Sequence, residues 1–344
     1  MPRASYDPGA FLGLAGAACQ YATARARVLP VAYEASVSYG AGAAKGPSAI
    51  LAASRQVELY DRAYGGEPAL AYGAHSLPAV VFGKKETGAP AMARIRKAAR
   101  EAWVPDRLLL ALGGEHTITA GLFAGVADRC GQPLTVVHVD AHADLRDRYE
   151  GSPYSHACAI RRVAEHPGCA GLIQLGIRSL CAEEAEWIGH PPLPSRTWFA
   201  EDMREGAGAC ARRRPRRHPP GAAAEGRRQS GSGRGNPASV PAWAAATWEK
   251  SLALAVRGRL VYFTLDIDAM DPSEMPGTGT PEPDGLRWRD AIRIADIVSR
   301  ESSGVAALDI VETAPIKGTQ ATEFAVAKLA YGLLSRFILG APGR

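Results

Sequence analysis

The sequence of 344 residues contains no apolar run long enough to cross a bilayer, because glycine, proline or a charged residue interrupts every apolar stretch. We therefore expect a soluble protein with no membrane partner. An apolar stretch at residues 10–19 follows Arg3, but Asp7 interrupts its flank. The stretch suits a short packed helix better than a secretion signal, so we predict a cytoplasmic location.

Cysteine is scarce, and no CxxC pair is present. The six cysteines are too few for a disulfide scaffold of this size. They are Cys19, Cys130, Cys158, Cys169, Cys181 and Cys210. We predict free thiols in a reducing compartment.

Basic residues are unevenly distributed. The net charge is +5, but residues 212–234 hold eight arginines and one glutamate, so the rest of the chain carries −2. This run has no interleaved aromatic residues, so we predict no nucleic-acid partner, and a nucleic-acid-binding protein is the alternative that rests on it. Residues 204–240 are dominated by Arg, Pro, Gly and Ala, which predicts a disordered insertion in an otherwise single domain of residues 1–344.

Short apolar runs alternate with helical patterns along the chain. At residues 47–60 an early proline precedes apolar residues three and four positions apart, and residues 243–256 show a second amphipathic pattern. The six runs with the length of strands are residues 28–33, 108–112, 134–139, 172–177, 260–267 and 305–311. This alternation predicts an α/β fold with a mostly parallel sheet covered on both faces. Ligands of such sheets bind beyond the carboxyl ends of the strands.

Histidine and aspartate follow two of the predicted strands. In GGEHTIT, His116 comes shortly after an apolar run, which alone indicates little. In VVHVDAHADLRD, Asp140, His142 and Asp144 alternate as the strand ends, and a strand period of two would point them the same way. Two acids and an imidazole together beside a hydrophobic run are costly unless a cation is bound. We predict a metal site here, with the neighbouring His138 as a packed or hydrogen-bonded core residue.

A third cluster, VYFTLDIDAMDP, ends another predicted strand. Asp266 and Asp268 are predicted metal ligands, whereas Asp271 precedes a proline and is predicted to form a turn. Four aspartates and two histidines without a thiolate favour two Mn(II) ions over structural zinc, although Zn, Fe, Co and Ni stay open. Two adjacent cations can activate a shared water, so the predicted chemistry is hydrolysis.

The motifs GGEHTIT, DAHAD and LDIDAMDP resemble, in order and spacing, those of the ureohydrolases, the arginase and agmatinase superfamily. The resemblance extends to SYGAGAAKGPSAILAASRQVELYD, DLRDRYEGSPYSHA, PGTGTPEPDGL and DIVETAP, which look like the agmatinase branch. It implies a three-layer α/β/α arginase-like fold, two Mn(II) per chain, a small guanidino substrate, and a homo-oligomer that is a trimer or a hexamer.

The resemblance also implies a role for each site residue. Asp140 and Asp266 would bridge both metals, with His116 and Asp144 completing one site and His142 and Asp268 the other. His156 would carry protons near the leaving amine, and Glu312 would hold the guanidinium.

Agmatine, cleaved to putrescine and urea, is the substrate that we predict. The loop LRDRYEGSPYSHA after Asp144 lacks the Asn-containing pattern by which arginases recognise the amino-acid end of arginine. Because Arg146 and Arg148 could meet a carboxylate, a guanidino acid such as guanidinobutyrate stays open, as do arginase and formimidoylglutamase activities. A single-zinc deacylase of the related fold is a remote alternative, which would need neither His116, Asp144 nor Asp268.

Overall fold

An eight-stranded sheet forms the centre of the protein in a computed structural model that describes residues 10–205 and 247–343. The order of the strands is β2-β1-β3-β8-β7-β4-β5-β6, and each neighbouring pair is parallel. The strands are β1 (Ala26–Val31), β2 (Ala74–Ser76), β3 (Leu108–Gly113), β4 (Leu134–Val139), β5 (Cys169–Ile177), β6 (Ser195–Phe199), β7 (Leu260–Asp266) and β8 (Gly304–Val311). The predicted α/β class with a parallel sheet is confirmed.

Helices cover both faces of this sheet. They are α1 (Gly46–Ser54), α2 (Pro68–Tyr72), α3 (Gly88–Ala102), α4 (Ile118–Cys130), α5 (Ala159–Ala164), α6 (Ala182–Gly189), α7 (Ala200–Glu205), α8 (Trp248–Val256), α9 (Trp288–Glu301) and α10 (Ala321–Leu339). Alternate residues of β3 enter different cores: Leu110 packs with residues of α1, α8, α9 and α10, whereas Leu109 packs with residues of α3, α4 and α5. The period-two alternation of a strand therefore produces the predicted three layers.

The two strands at the edges of the sheet, β2 and β6, are absent from the sequence prediction. β2 has three residues, of which only Ala74 is buried, and Trp198 is the only buried residue of β6. Neither strand is buried on both faces, so neither has the continuous apolar run that identified the six central strands.

The predicted helix at residues 47–60 is shorter in the structure. α1 ends at Ser54, whose hydroxyl donates to the carbonyl of Leu51 and accepts the backbone N–H of Leu12. The helix end is thus fixed by a contact with the N-terminal segment, which periodicity cannot reveal.

Two further sequence expectations concern cysteine and the membrane. The five cysteines in the described ranges form no disulfide, as predicted, and Cys210 lies outside those ranges. Within the same ranges, no helix combines the length and the apolar character that a membrane span requires. Most of the insertion predicted at residues 204–240 lies outside the described residues, and its disorder stays a prediction.

Candidate functional site

The candidate site lies at the carboxyl ends of five neighbouring strands, β1, β3, β8, β7 and β4. His116 follows β3, Glu312 follows β8, and Asp266 is the last residue of β7. Asp140 directly follows β4. The sheet order therefore brings together side chains that are far apart in the sequence, at the edge where parallel sheets bind ligands.

Three carboxylates surround one nitrogen of His116. His116 Nδ1 is 3.0 Å from Asp140 Oδ2, 3.0 Å from Asp144 Oδ2 and 3.3 Å from Asp266 Oδ2. This nitrogen is buried and has no hydrogen-bond partner of acceptable geometry. One imidazole nitrogen and three carboxylate oxygens, all atoms that can coordinate a metal, thus converge on one point without forming hydrogen bonds of acceptable geometry with one another.

The other nitrogen of His116 determines which tautomer is present. Thr264 donates its hydroxyl proton to Asp309 Oδ1 over 2.6 Å, and His116 Nε2 is 3.1 Å from the same hydroxyl oxygen. Since that proton is committed to Asp309, Nε2 is the donor, and in the neutral ring it is Nδ1 that presents a lone pair to the three carboxylates. A lone pair facing carboxylate oxygens is repulsive, whereas a divalent cation would be coordinated by all four groups. The residues therefore fit a metal ion.

A second group of potential metal ligands shares Asp140 with the first. His142 Nδ1 is 2.9 Å from Asp268 Oδ2 and 3.7 Å from Asp140 Oδ1. One donor atom from each of these three residues lies within 4.8 Å of the others. The six predicted ligands thus lie in two neighbouring groups, and Asp140 is close to both histidines. Their role as ligands, and the bridging by Asp266 that the resemblance implies, stay predictions.

The aspartates repel one another in this buried setting. Burial, together with the negative charges of Asp268 and Asp140, raises the pKa of Asp266 well above its ordinary value. Burial and Asp140 likewise raise the pKa of Asp144 to about 6. Positive charge from bound cations would relieve this repulsion and hold the carboxylates ionised.

The route by which the ligands converge differs from the prediction. β4 ends at Val139, so Asp140, His142 and Asp144 lie in a loop rather than along one face of a strand. Asp144 has a positive φ of 53°, a conformation that strand periodicity does not describe. The three side chains still reach one site because the loop turns back over the end of the sheet.

His138 is close to the ligands, but both of its ring nitrogens are occupied. Gln174 Nε2 lies 3.1 Å from Nδ1, and Nε2 lies 2.7 Å from Asp140 Oδ2. Since the amide donates to Nδ1, His138 donates to Asp140 and orients it. The predicted hydrogen-bonded core histidine is present. Asp271 forms the predicted turn by accepting the backbone N–H groups of Ser273 and Gly285.

An inner pocket of about 30 Å³ adjoins the ligand groups, with His156 and Glu312 among its lining residues. Glu312 has a φ of 61°, and its Oε1 accepts the backbone N–H of His116 over 2.7 Å. Burial and the nearby Glu115 raise the pKa of Glu312 well above its ordinary value. Among the described residues, the hydrogen bonds to these two glutamates come from backbone N–H groups and hydroxyls rather than from a lysine or an arginine. The pocket is therefore acidic and suited to a cationic group.

Several residues around the site were missed by the sequence analysis. Glu115 precedes His116 in GGEHTIT, but one acid in a loop gives no signal of its own. Ser36 contacts both Glu115 and His156 from a loop after β1. Arg178 donates five hydrogen bonds to backbone carbonyls around the site. Only the fold reveals these relationships, because the partners are distant in sequence.

Comparison with known proteins gives a consistent assignment. The sequence model of the Arginase family matches residues 24–211 and 243–335. An N(1)-aminopropylagmatine ureohydrolase of Synechocystis sp. is 32% identical over 319 residues, which cover 91% of this chain and 89% of that protein. An agmatinase of Bacillus cereus is 29% identical over 61% of this chain and 57% of its own length.

Among solved structures, the agmatine ureohydrolase of Thermoplasma volcanium superposes with a TM-score of 0.69 at 25% identity, covering 93% of this chain and 92% of that one. The family match spans most of the sequence, and the metal-ligand motifs lie within it. This chain therefore belongs to the Arginase family of hydrolytic enzymes, in its agmatinase-like branch.

Proposed function

We propose that this protein is a binuclear manganese hydrolase that cleaves an unbranched guanidino amine, with agmatine as the main substrate, to urea and an amine. One observation carries the proposal: an acidic pocket, whose two glutamates are hydrogen-bonded to no lysine or arginine among the described residues, opens beside two groups of residues that could hold metal ions. A guanidinium is the planar cation that such a pocket would bind.

His116, Asp140, Asp144 and Asp266 would hold one metal ion, and His142, Asp140 and Asp268 would hold the other. The chemistry that the metal pair supplies when bound is activation of water for attack on an electrophilic carbon. The absence of thiolates from both groups supports Mn(II).

Glu312 would bind and orient the guanidinium. Its Oε1 is fixed by the backbone N–H of His116, which links substrate position to a metal ligand. A bound guanidinium would also stabilise the ionised carboxylate, which burial and Glu115 otherwise disfavour.

His156 would deliver a proton to the departing amine. Its side chain lines both the inner pocket and an outer cavity of about 240 Å³. With a guanidinium bound in the inner pocket, the rest of the substrate would extend past His156 into the outer cavity, and the leaving nitrogen would lie beside this histidine.

The contacts of the two arginines near the outer cavity favour a guanidino amine over a guanidino acid as the substrate. Arg146 Nε lies 3.8 Å from Glu184 Oε2, and its guanidinium packs over the ring of Tyr149 at 4.8 Å. Arg148 donates to the carbonyl of Gly151. Both arginines thus have local partners, so neither is reserved for a substrate carboxylate. This arrangement disfavours guanidinobutyrate, arginine and formiminoglutamate.

N(1)-aminopropylagmatine is a second candidate substrate. A relative with that activity in its name matches nine-tenths of this chain, whereas the agmatinase of Bacillus cereus matches about three-fifths. The outer cavity beyond His156 offers room for the longer amine.

A substrate panel tests the proposal. Manganese-loaded protein would be assayed for urea release from agmatine, N(1)-aminopropylagmatine, arginine and guanidinobutyrate, with metal content measured on the same sample. We expect two metal ions per chain and the highest kcat/KM with agmatine. One zinc ion per chain with release of acetate from an acyl-lysine peptide would instead indicate the deacylase alternative.

The cytoplasmic location, the trimer or hexamer, and the absence of a nucleic-acid partner stay predictions. Light scattering of the purified protein would measure the subunit number directly.

A further inference from the structure

A single hydroxyl connects a buried acid to the ring of His156. Ser36 Oγ is 2.9 Å from Glu115 Oε1 and 3.1 Å from His156 Nδ1. The same oxygen accepts the backbone N–H of His156 over 3.1 Å. Ser36 therefore contacts both the main chain and the side chain of the residue that carries the proton in the proposed function.

The donors around Glu115 decide the direction of these hydrogen bonds. Glu115 Oε2 accepts the backbone N–H groups of Ala35 and Ser36, each over 2.6 Å. Its Oε1 accepts the hydroxyl of Thr117 over 2.6 Å and that of Ser36 over 2.9 Å. A carboxylate with four donors acts only as an acceptor, so the one hydroxyl proton of Ser36 points to Glu115.

This direction determines the hydrogen bond at Nδ1 of His156. Since the proton of Ser36 is used on Glu115, its oxygen can only accept from His156 Nδ1–H. Ser155 Oγ makes a longer contact of 3.4 Å with the same nitrogen. The other ring nitrogen, Nε2, is 2.9 Å from Ser38 Oγ, whose hydroxyl donates to Tyr149 over 3.3 Å. The edge-to-face contact with Tyr149, with ring centroids 5.7 Å apart, restrains the ring further.

From this arrangement we infer that Ser36, held by Glu115, is a positioning residue that fixes the ring of His156 through Nδ1, so that Nε2 is the nitrogen that exchanges the proton with the leaving amine. The inference rests on the proposed function, because it acts through His156. Neither Ser36 nor Glu115 needs to touch the reacting atoms in this role.

A double-mutant cycle tests the inference. Ser36→Ala removes the acceptor for Nδ1–H, so we expect kcat for agmatine to fall on the order of 100-fold, with KM and metal content unchanged. If Ser36 acts through His156, adding Ser36→Ala to the His156→Ala variant should lower kcat by less than a further factor of three. Ser48→Ala, an exposed serine of α1, is the matched control and should leave kcat unchanged.

Glu115→Gln gives an independent readout with almost no change of shape. Because Oε2 faces two backbone donors, the amide oxygen must take that position and the NH₂ must face Ser36. The hydroxyl of Ser36 would then donate to Nδ1, and Nδ1 would have to accept this hydrogen bond instead of donating it. We expect a loss of kcat comparable to that of Ser36→Ala, again absent in the His156→Ala background.

The outcomes separate the two claims. Native protein that releases no urea from any guanidino substrate overturns the proposed function, and the role of Ser36 with it. If the native protein releases urea but Ser36→Ala lowers kcat by the same factor in the His156→Ala variant as in the native protein, the proposed function stands and only the role of Ser36 is overturned. Loss of metal in Ser36→Ala would also overturn it, since the effect would then arise at the metal ligands.

Discussion

Arg178 Nη2 donates to the backbone carbonyl of Asp268 over 2.6 Å, and so joins the end of β5 to the loop that carries a metal ligand. Its remaining N–H groups donate to four more carbonyls, those of Gly176, Ala269, Glu282 and Pro283. The planar fork of a guanidinium can serve these carbonyls at once, whereas a lysine ammonium has only three donors on a point charge.

We therefore expect Arg178→Lys to weaken metal binding at the His142–Asp268 group. Loss of a partner around a metal ligand costs on the order of 10-fold to 100-fold in affinity, and unpaired carbonyls would lower the free energy of unfolding by about 2 kcal/mol. Metal titration and denaturant unfolding would measure both. Arg293→Lys, at an exposed position of α9, is the control, and an equal effect there would contradict the prediction.

Asp140→Asn should abolish both metal binding and activity. Asp140 contacts both histidines of the site, and an amide has one acceptor oxygen in place of two, so both donor groups are damaged by one change. Metal content and urea release would be measured together, before and after chelator treatment of the native protein. Asp128→Asn, a change on α4 that alters an ion pair with Arg96 of α3, should retain both properties. Full activity in metal-free native protein would refute the mechanism.

Glu312→Gln should retain the metals and lose turnover. The change removes the negative charge that would pair with the guanidinium but leaves every predicted ligand in place. A charge-assisted hydrogen bond contributes about 1.5 to 3 kcal/mol, so we expect kcat/KM to fall on the order of 100-fold. His156→Ala should also keep its metals. If either variant lost manganese, the corresponding residue would be a part of the metal site instead.

Gly114→Ala should destabilise the protein and disturb the site. A Cβ at this position would collide with the backbone carbonyl of Tyr33, in the segment that follows β1, directly before Glu115 and His116. Both clashing partners are backbone, so relief requires the two segments to separate, at a cost of about 3 kcal/mol. Thermal unfolding and metal affinity would show the effect. At Gly189 a Cβ meets no atom within 4 Å, so Gly189→Ala should be neutral.

Deleting residues 209–240 and bridging the ends with a short Gly/Ser linker should preserve urea release. The family match stops at residue 211 and resumes at residue 243, so the arginine-rich stretch has no counterpart in the family sequence model. Loop-closure entropy changes slowly with length, so little stability should be lost. The deletion also removes a surplus of seven positive charges and lowers the isoelectric point. A variant that binds both metals but no longer hydrolyses agmatine would show that the stretch covers the active site.

The candidate metal ligands could be predicted from the sequence because two different signals coincided there. Asp140, His142 and Asp144 are costly at the end of an apolar run, and the same combination recurs at Asp266 and Asp268. Local sequence thus reveals those residues of the site whose burial would be energetically unfavourable without a bound cation. The six central strands were identifiable for a related reason, since burial on both faces requires continuous apolar runs.

Residues that act through long-range contacts were not identifiable in this way. Ser36 meets His156 across 120 positions of sequence, and the partners of Arg178 are up to 105 positions away. A serine or an arginine in a loop has no periodicity and no unusual cost, so only the folded geometry reveals its role. The edge strands β2 and β6 escaped prediction because they are short and half-exposed.

The strand order also determines when the site can form as the chain is synthesised and folds. β8, close to the C-terminus, lies between β3 and β7, and β7 in turn separates it from β4. A growing chain therefore exposes His116 and Asp140 long before the strands that unite them have been synthesised. We therefore expect the predicted metal pair to bind only after the last strand has been inserted, and its binding would then link parts of the chain that are made early and late in translation. Tight metal retention would in this way serve as a marker of a completely assembled sheet, and chains truncated before residue 304 should fail to show it.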